Sequence, residues 1–249
     1  MPDTVFHVGL PRTGTTFLQT QIFPKMNINF LRMNVMHILN DIADIKIDFE
    51  NNPKLFEKYR KKLFQFFSKN KLNLVSSEGL FGYMFSKSRI EFKIAKRLYY
   101  MFSDAKIVVG IRDPEKHIIS IYCQYLHEGG TKTFREFITK EININGYIFQ
   151  EEYVYFLKKT FGEDNVYVYR LESLNKDPYA VVKELSEFLN VEAPEFENKK
   201  CNVGYGRLQI KLARILNKLY KTKHNPSGII PWIGRPPGSF LTPRFILQN

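Results

Sequence analysis

The chain has 249 residues, enough to bury a full hydrophobic core without disulfide or metal staples. Hydrophobic residues make up 44% and charged residues 25%, which excludes a disordered or collagen-like chain. Lys and Arg number 37 against 25 Asp and Glu, a net charge of +12 that favours anionic partners such as nucleotides, acidic glycans, nucleic acid or a membrane surface.

The two cysteines, Cys123 and Cys201, lie far apart and without ligand-like His spacing. A disulfide framework or structural zinc site is therefore not expected, and a reducing compartment is. The charges are dispersed, and the densest cluster, Lys58, Arg60, Lys61 and Lys62, reads as a solvated helix face. No run approaches the ~20 apolar residues of a bilayer span. The N-terminus opens directly into a strand-like segment without a leader pattern, so a cytoplasmic chain is expected. A trimmed form of a membrane-anchored enzyme would read the same way.

In chain order, Thr4–Val8 reads as the first strand, followed by a glycine-containing loop and a helical pattern. Asn27–Leu31 is a weaker strand. Pro53 to Lys69 places Leu55, Phe56, Tyr59, Leu63, Phe66 and Phe67 on one helix face. Leu72–Ser76, Lys106–Ile111 and Val166–Tyr169 are further strands, and Asp177 to Leu189 is a helix with Asp177 as N-cap and Pro178 at its first position. From Asn225 onward five prolines and three glycines predict an irregular tail. Strands alternating with helices predict a single α/β domain over 1–249, with a central parallel sheet flanked by helices.

The most informative segment is Gly9-Leu10-Pro11-Arg12-Thr13-Gly14-Thr15-Thr16, at a strand-to-helix turn. Glycines five residues apart let the backbone curl round a phosphate, with loop N–H groups and the helix dipole facing the anion. Thr15 and Thr16 add hydroxyl donors. The spacing approaches a Walker A loop, GxxxxGK(S/T), but Thr15 stands where the lysine belongs, and the nearest cation is Arg12. A second constellation follows the Lys106–Ile111 strand: Arg112-Asp113-Pro114, with Ser120 eight residues after the arginine. An arginine and a hydroxyl at the C-terminal edge of a parallel sheet suit a second phosphate. Asp113 before Pro114 reads as a cap.

At these two places the sequence resembles the PAPS-dependent sulfotransferase family, whose donor is 3′-phosphoadenosine 5′-phosphosulfate. Pro11 to Thr16 match the family's Pro-Arg/Lys-Ser/Thr-Gly-Thr-Thr loop around the 5′-phosphosulfate. Arg112 and Ser120 look like the family's arginine and serine on the 3′-phosphate. The resemblance implies a sulfuryl transfer to an acceptor hydroxyl with no metal required. A glutamate base and the basic surface favour a carbohydrate or other anionic acceptor, and no specific nucleic acid is expected. Asn202-Val203-Gly204-Tyr205-Gly206-Arg207 is the candidate nucleotide-covering loop, with Arg207 its cation, although it lacks the sharper basic-glycine pattern of cytosolic members.

The chemistry asks for a charge stabiliser on the leaving phosphate oxygen and a base for the acceptor. Arg12 fits the first role. Glu78, in Ser76-Ser77-Glu78-Gly79 after the third strand, fits the second, and would otherwise be a helix-start carboxylate. Of the five histidines, His7 reads as packing, His117 as an exposed helix position, and His127 as a helix end that meets the C-terminal dipole. Tyr169 to Glu172 reads as structural or as support behind the site residues. The other readings are a P-loop kinase with an atypical loop, marked by ATP and magnesium dependence, and a non-catalytic nucleotide- or nucleic-acid-binding module, marked by salt-dependent binding without turnover.

Overall fold

Short runs rich in Val, Ile and Leu form a wholly parallel sheet of β1 (Thr4–His7), β2 (Asn29–Leu31), β3 (Asn73–Ser76), β4 (Lys106–Ile111) and β5 (Val166–Arg170). The computed structural model describes residues 3–197 and 206–231, with residue 207 described through its backbone alone. The sheet order is β2-β3-β1-β4-β5. Each strand lies where the apolar runs predict it, with ends shifted by one or two residues at most.

The helices are α1 (Thr15–Phe17), which runs on as a wider turn over Leu18–Ile22, then α2 (Met36–Ala43), α3 (Lys54–Phe64) and α4 (Glu91–Met101). There follow α5 (Pro114–His127), α6 (Phe134–Lys140), α7 (Asn145–Ile148) and α8 (Gln150–Phe161). The last are α9 (Leu171–Lys176), α10 (Pro178–Leu189) and α11 (Arg207–Asn217). Asp177 caps α10, its side chain accepting from the Ala180 N–H at 3.0 Å.

The period of two along the strands divides the core. Phe6, Val75, Ile107 and Val109 face one cluster, completed by residues of α2, α4, α5 and α8. Val5, Leu74, Val108 and Tyr169 face the other, covered by Phe17 to Phe23 and by α9 and α10. Both faces of the sheet are therefore buried, as a parallel sheet requires.

Two expectations need correction. The helix from Pro53 stops at Phe64, not Lys69. The buried Asn73 side chain accepts from the Ser68 N–H at 2.7 Å and donates to the Ser68 carbonyl at 3.0 Å, which supplies the backbone with partners a helix would otherwise provide. The tail is not wholly irregular either: Ile230–Pro231 (β7) pairs with Tyr220–Lys221 (β6). The remainder of the proline-rich tail, including Arg235 and Arg244, lies outside the described residues. Tyr100, on α4, is 65% exposed although its ring meets Phe56.

Arg97 is the most demanding core residue. It is 1% exposed and donates to the carbonyls of Ile42, Asp44 and Ile47, each at 2.8 Å, and to Glu50 at 3.2 Å, with its guanidinium 4.5 Å from the Phe49 ring. It thereby ties the 42–50 loop to α4. Arg97→Met keeps the volume but strands three carbonyls, so a loss of ~3–5 kcal/mol in urea unfolding is expected. A loss below ~1 kcal/mol would show that the loop closes without it.

Candidate active site

The chain leaves β1 toward β2 and β3, and leaves β4 toward β5, on the opposite side. The C-terminal ends of the adjacent strands β1 and β4 therefore form the topological switch point, where open parallel sheets hold their ligands. The 9–14 loop and Arg112 both sit there. Pairing continues past β1, with Val8 N–H on the Val108 carbonyl at 3.0 Å and Leu10 N–H on the Gly110 carbonyl at 3.3 Å.

Beyond Leu10 the loop is held by side chains. The Thr13 hydroxyl donates to the Leu10 carbonyl at 2.6 Å, His117 Nε2 to the Pro11 carbonyl at 2.7 Å, and Arg112 Nη1 to the Arg12 carbonyl at 3.3 Å. In a planar trans peptide the N–H points opposite the preceding C=O. With the Pro11 and Arg12 carbonyls turned toward His117 and Arg112, the N–H groups of Arg12 and Thr13 point the other way. Arg12 adopts a left-handed φ of 68°, rare outside glycine, and Gly14 has a φ of 90°. A Cβ on Gly14 would also lie 2.8 Å from Leu174, so this position admits only glycine.

Beneath the loop lies a buried polar chain. Gln19 Nε2 donates to Ser76 Oγ at 2.9 Å, Ser76 Oγ meets His7 Nδ1 at 2.7 Å, and His7 Nε2 meets the Tyr169 hydroxyl at 3.2 Å. A neutral imidazole has one donor and one acceptor nitrogen, so the chain closes in either tautomer. Burial pushes His7 down to about 3, which keeps it neutral. Tyr169 thus closes this chain beneath the loop. A Cβ on Gly110 would lie 2.5 Å from the Tyr169 hydroxyl and 2.6 Å from Thr13 Oγ1, so this close approach of loop and sheet depends on a bare backbone.

The expected anion-handling residues converge, in a pattern the sequence did not specify. Arg12 Nε donates to Ser120 Oγ at 3.1 Å, and Arg112 meets the Arg12 carbonyl. Ser120 therefore faces Arg12, and the two expected phosphate subsites share one junction. Burial lowers the Arg112 pKa, Glu172 opposes that, and the Arg12 charge adds to it. Arg112 Nε is buried without a hydrogen-bond partner. Asp113 caps α5, accepting from the Lys116 N–H at 2.9 Å. Gln150, at the start of α8, brackets the Arg112 backbone: Oε1 accepts from its N–H and Nε2 donates to its carbonyl, both at 2.9 Å.

Glu78 opens a single helical turn over Glu78–Phe81, capped by Ser77, whose hydroxyl accepts from the Gly79 N–H at 3.1 Å. It is also half-buried and accepts the hydroxyl hydrogen of Thr15. The helix-start position and the place at the loop thus coexist. The Thr15 hydroxyl, expected to face a phosphate, is directed to Glu78 instead. Thr16 remains half-exposed at the start of α1. Residues 202–205 lie outside the described residues, as does the Arg207 side chain; its backbone opens α11.

His117 corrects the expectation of an exposed face: it is 0% exposed, because it shares the inward stripe of α5 with Ile121 and Tyr125 at intervals of one turn. His127 is buried at the end of α5, and His37 is exposed on α2. His224 packs against Tyr125 at 4.8 Å. Gln150 and the bond from His117 to the loop were not foreseen. The one-turn periodicity could have revealed His117; no local pattern marks Gln150.

A family profile described as Sulfotransferase family matches residues 2–195, and the chain belongs to that family. Among solved structures it is similar to a sulfotransferase from Alicyclobacillus acidocaldarius, at 20% identity over 85% of this chain and 90% of that one, with a TM-score of 0.59. A sulfotransferase domain from the curacin biosynthetic pathway matches at 16% identity over 80% and 76%, with a TM-score of 0.45. A mouse sulfotransferase complexed with PAP matches at 15% over 78% and 61%, with a TM-score of 0.49. The first of these shows the fold. Comparison with curated proteins finds no significant match.

The two buried histidines make stability depend on pH. Burial, against the bond to Pro11, pushes His117 down to about 4, and His7 lies at about 3. Unfolded imidazoles take up protons near pH ~6.5, while the folded ones do not. Stability is therefore complete above pH ~6.5 and falls toward pH ~4, by up to ~1.4 kcal/mol per pH unit for each histidine. Urea unfolding at pH 5.5 should therefore give a stability ~3 kcal/mol below that at pH 7.5, ~1.4 kcal/mol for each histidine. Equal stabilities would mean that the folded rings take up protons as readily as the unfolded ones.

Proposed function

We propose that this member of the sulfotransferase family transfers the sulfuryl group of 3′-phosphoadenosine 5′-phosphosulfate to an acceptor hydroxyl, a carbohydrate or other anionic acceptor being favoured, with the chain 1–249 acting as one such domain. The observation that carries this reading is the meeting of Arg12, Arg112 and Ser120 around one loop, with Glu78 bound to that loop through Thr15. Two guanidinium groups held together, one with a buried unpartnered N–H, suit a ligand with more than one phosphate group.

In this reading Pro11, Arg12, Thr13, Gly14, Thr15 and Thr16 form the cradle of the 5′-phosphosulfate, and Arg112 and Ser120 hold the 3′-phosphate. Arg207 stands as a further donor contact. Glu78 takes the proton of the acceptor hydroxyl as its oxygen bonds to sulfur. The bond from sulfur to the 5′-phosphate oxygen breaks, its electron pair stays on that oxygen, and Arg12 with the loop N–H groups stabilises the charge. Gln150 acts through Arg112, fixing the backbone from which the guanidinium extends. No metal takes part in these steps, and the cytoplasm is the proposed compartment.

The donor assignment is tested with adenosine 3′,5′-bisphosphate and 5′-AMP in calorimetry. Two charge-assisted contacts of ~1.5 kcal/mol each give a preference of ~100-fold for the bisphosphate. Gln150→Leu should narrow that ratio while leaving 5′-AMP affinity in place, a signature that mere loss of stability would not produce. Arg112→Lys should narrow it and also weaken 5′-AMP, because Arg112 holds the Arg12 carbonyl of the loop. Equal affinities in the unaltered protein would refute the 3′-phosphate site, and a magnesium requirement would favour the kinase.

The base assignment is tested separately. Glu78→Gln keeps the bond to Thr15 and should leave bisphosphate affinity unchanged while transfer from the labelled donor, screened over glycans, lipids and phenols, falls ~10²–10⁴-fold. Arg12→Ala should weaken both binding and turnover, since its charge acts in the ground state and in the transition state. Near-normal transfer by Glu78→Gln would remove Glu78 as the base.

A further inference from the structure

The net charge is unevenly divided along the chain. Residues 198–249 contain 10 Lys and Arg and no Asp or Glu, against 27 and 25 in residues 1–197, so the last fifth carries nearly all of the +12. Such an asymmetry marks a segment that meets an anionic surface. Helix α11 and the turn after it, the described part of this segment, add a second feature.

The inner side of α11 is firmly held. Ala213 and Asn217 are 0% exposed, and Asn217 Nδ2 donates to the carbonyls of Leu126 and Gly130 at 2.8 and 2.7 Å, which clamps the helix to the end of α5. On the outer side Leu208, Leu212, Ile215 and Leu219 are 69%, 40%, 62% and 48% exposed. At the helical angular step Leu208, Leu212 and Ile215 fall within about 60° of one another, and Leu219 follows in the turn after the helix. Ile229 and Ile230 lengthen the stripe, because their N–H groups both donate to the Leu219 carbonyl, at 2.9 and 2.8 Å, and both side chains are exposed. Lys211 and Lys218 follow one edge, exposed and without an acidic partner among the described residues.

We propose that this face docks on the surface of an anionic lipid bilayer, the aliphatic stripe entering the boundary of headgroups and acyl chains and the lysines meeting acidic headgroups. An aliphatic stripe with flanking cations is the pattern of an interfacial helix. The attachment proposed is peripheral, through the α11 face; no helix among the described residues is long and apolar enough to cross a membrane. A nucleic acid would use the cations but leave the leucines and isoleucines in water. A second copy of the same face would bring lysine against lysine with no acid to separate them.

The inference does not depend on the donor assignment and is tested by co-sedimentation of the full chain with vesicles of phosphatidylcholine alone and with added phosphatidylglycerol. Binding should be at least ~10-fold tighter to the anionic vesicles and should weaken with salt. Lys211→Gln with Lys218→Gln should weaken it ~30-fold. Leu212→Ser with Ile215→Ser should weaken it by ~10-fold or more even at low salt, with the unfolding midpoint and adenosine 3′,5′-bisphosphate affinity retained. Equal binding to both vesicles, or undiminished binding by the serine variant, overturns the proposal. So does binding that is lost only when residues 232–249 are removed, and so does a dimer, dispersed by the serine substitutions, in a chain that ignores vesicles.

Discussion

Three successive carbonyls, those of Leu10, Pro11 and Arg12, each accept a side-chain hydrogen, from Thr13, His117 and Arg112 in turn. The rest of the site depends on this arrangement. A loop that curls back on itself after a strand loses its ladder partners, and buried carbonyls must find others. Here the donors come from the loop, from α5 and from the end of β4, so the loop conformation is a property of the whole β1–β4 junction. It also explains why a non-glycine residue tolerates a left-handed backbone at Arg12: the strain of ~1–3 kcal/mol is offset by bonds that exist only in this geometry. The same bonds turn the following N–H groups away from the protein donors, which suits an anion.

The positive charge of the junction comes from arginine and not from histidine. His7 and His117 both lie within its structure, and burial keeps both neutral. Arg12 and Arg112 remain charged across the accessible pH range, since a guanidinium holds its proton even when burial lowers its affinity. Their mutual repulsion is tempered by Glu172, which accepts from the Asp113 N–H at 3.2 Å and lies close enough to support Arg112. In the proposed reading a bound polyanion relieves that repulsion and also satisfies Arg112 Nε.

The local signals in the sequence were good guides to what local chemistry decides. The loop at Gly9 to Thr16 announces itself because its geometry needs particular residues at fixed spacing, and the five strands announce themselves through their apolar runs. Arg112 and Ser120 were legible only as a pair with that loop. The contacts that join these parts were not. Arg12 and Ser120 are separated by 108 positions, and His117 and Pro11 by 106, so their pairing is a consequence of sheet order. Gln150 shows the limit most clearly: nothing near it in sequence distinguishes it from any polar residue at a helix start, and only the fold brings its amide to the Arg112 backbone. Asn73, likewise, ends α3 from within the following strand.

The departure from the Walker pattern at position 15 acquires a physical reason from Glu78. A lysine there would reach the carboxylate that now accepts the Thr15 hydroxyl. An ammonium paired with Glu78 at the edge of a half-buried site would hold the carboxylate in an ion pair and make it a poor proton acceptor. A threonine donates one hydrogen to Oε1 and adds no charge, which orients the carboxylate and leaves Oε2 for an acceptor hydroxyl. The cation proposed for the leaving phosphate is Arg12, three positions earlier, whose Nε donates to Ser120. In the proposed reaction this separation matters. One residue of the loop serves the base without neutralising it, another supplies the charge for the leaving group, and the strained backbone between them keeps the two functions apart.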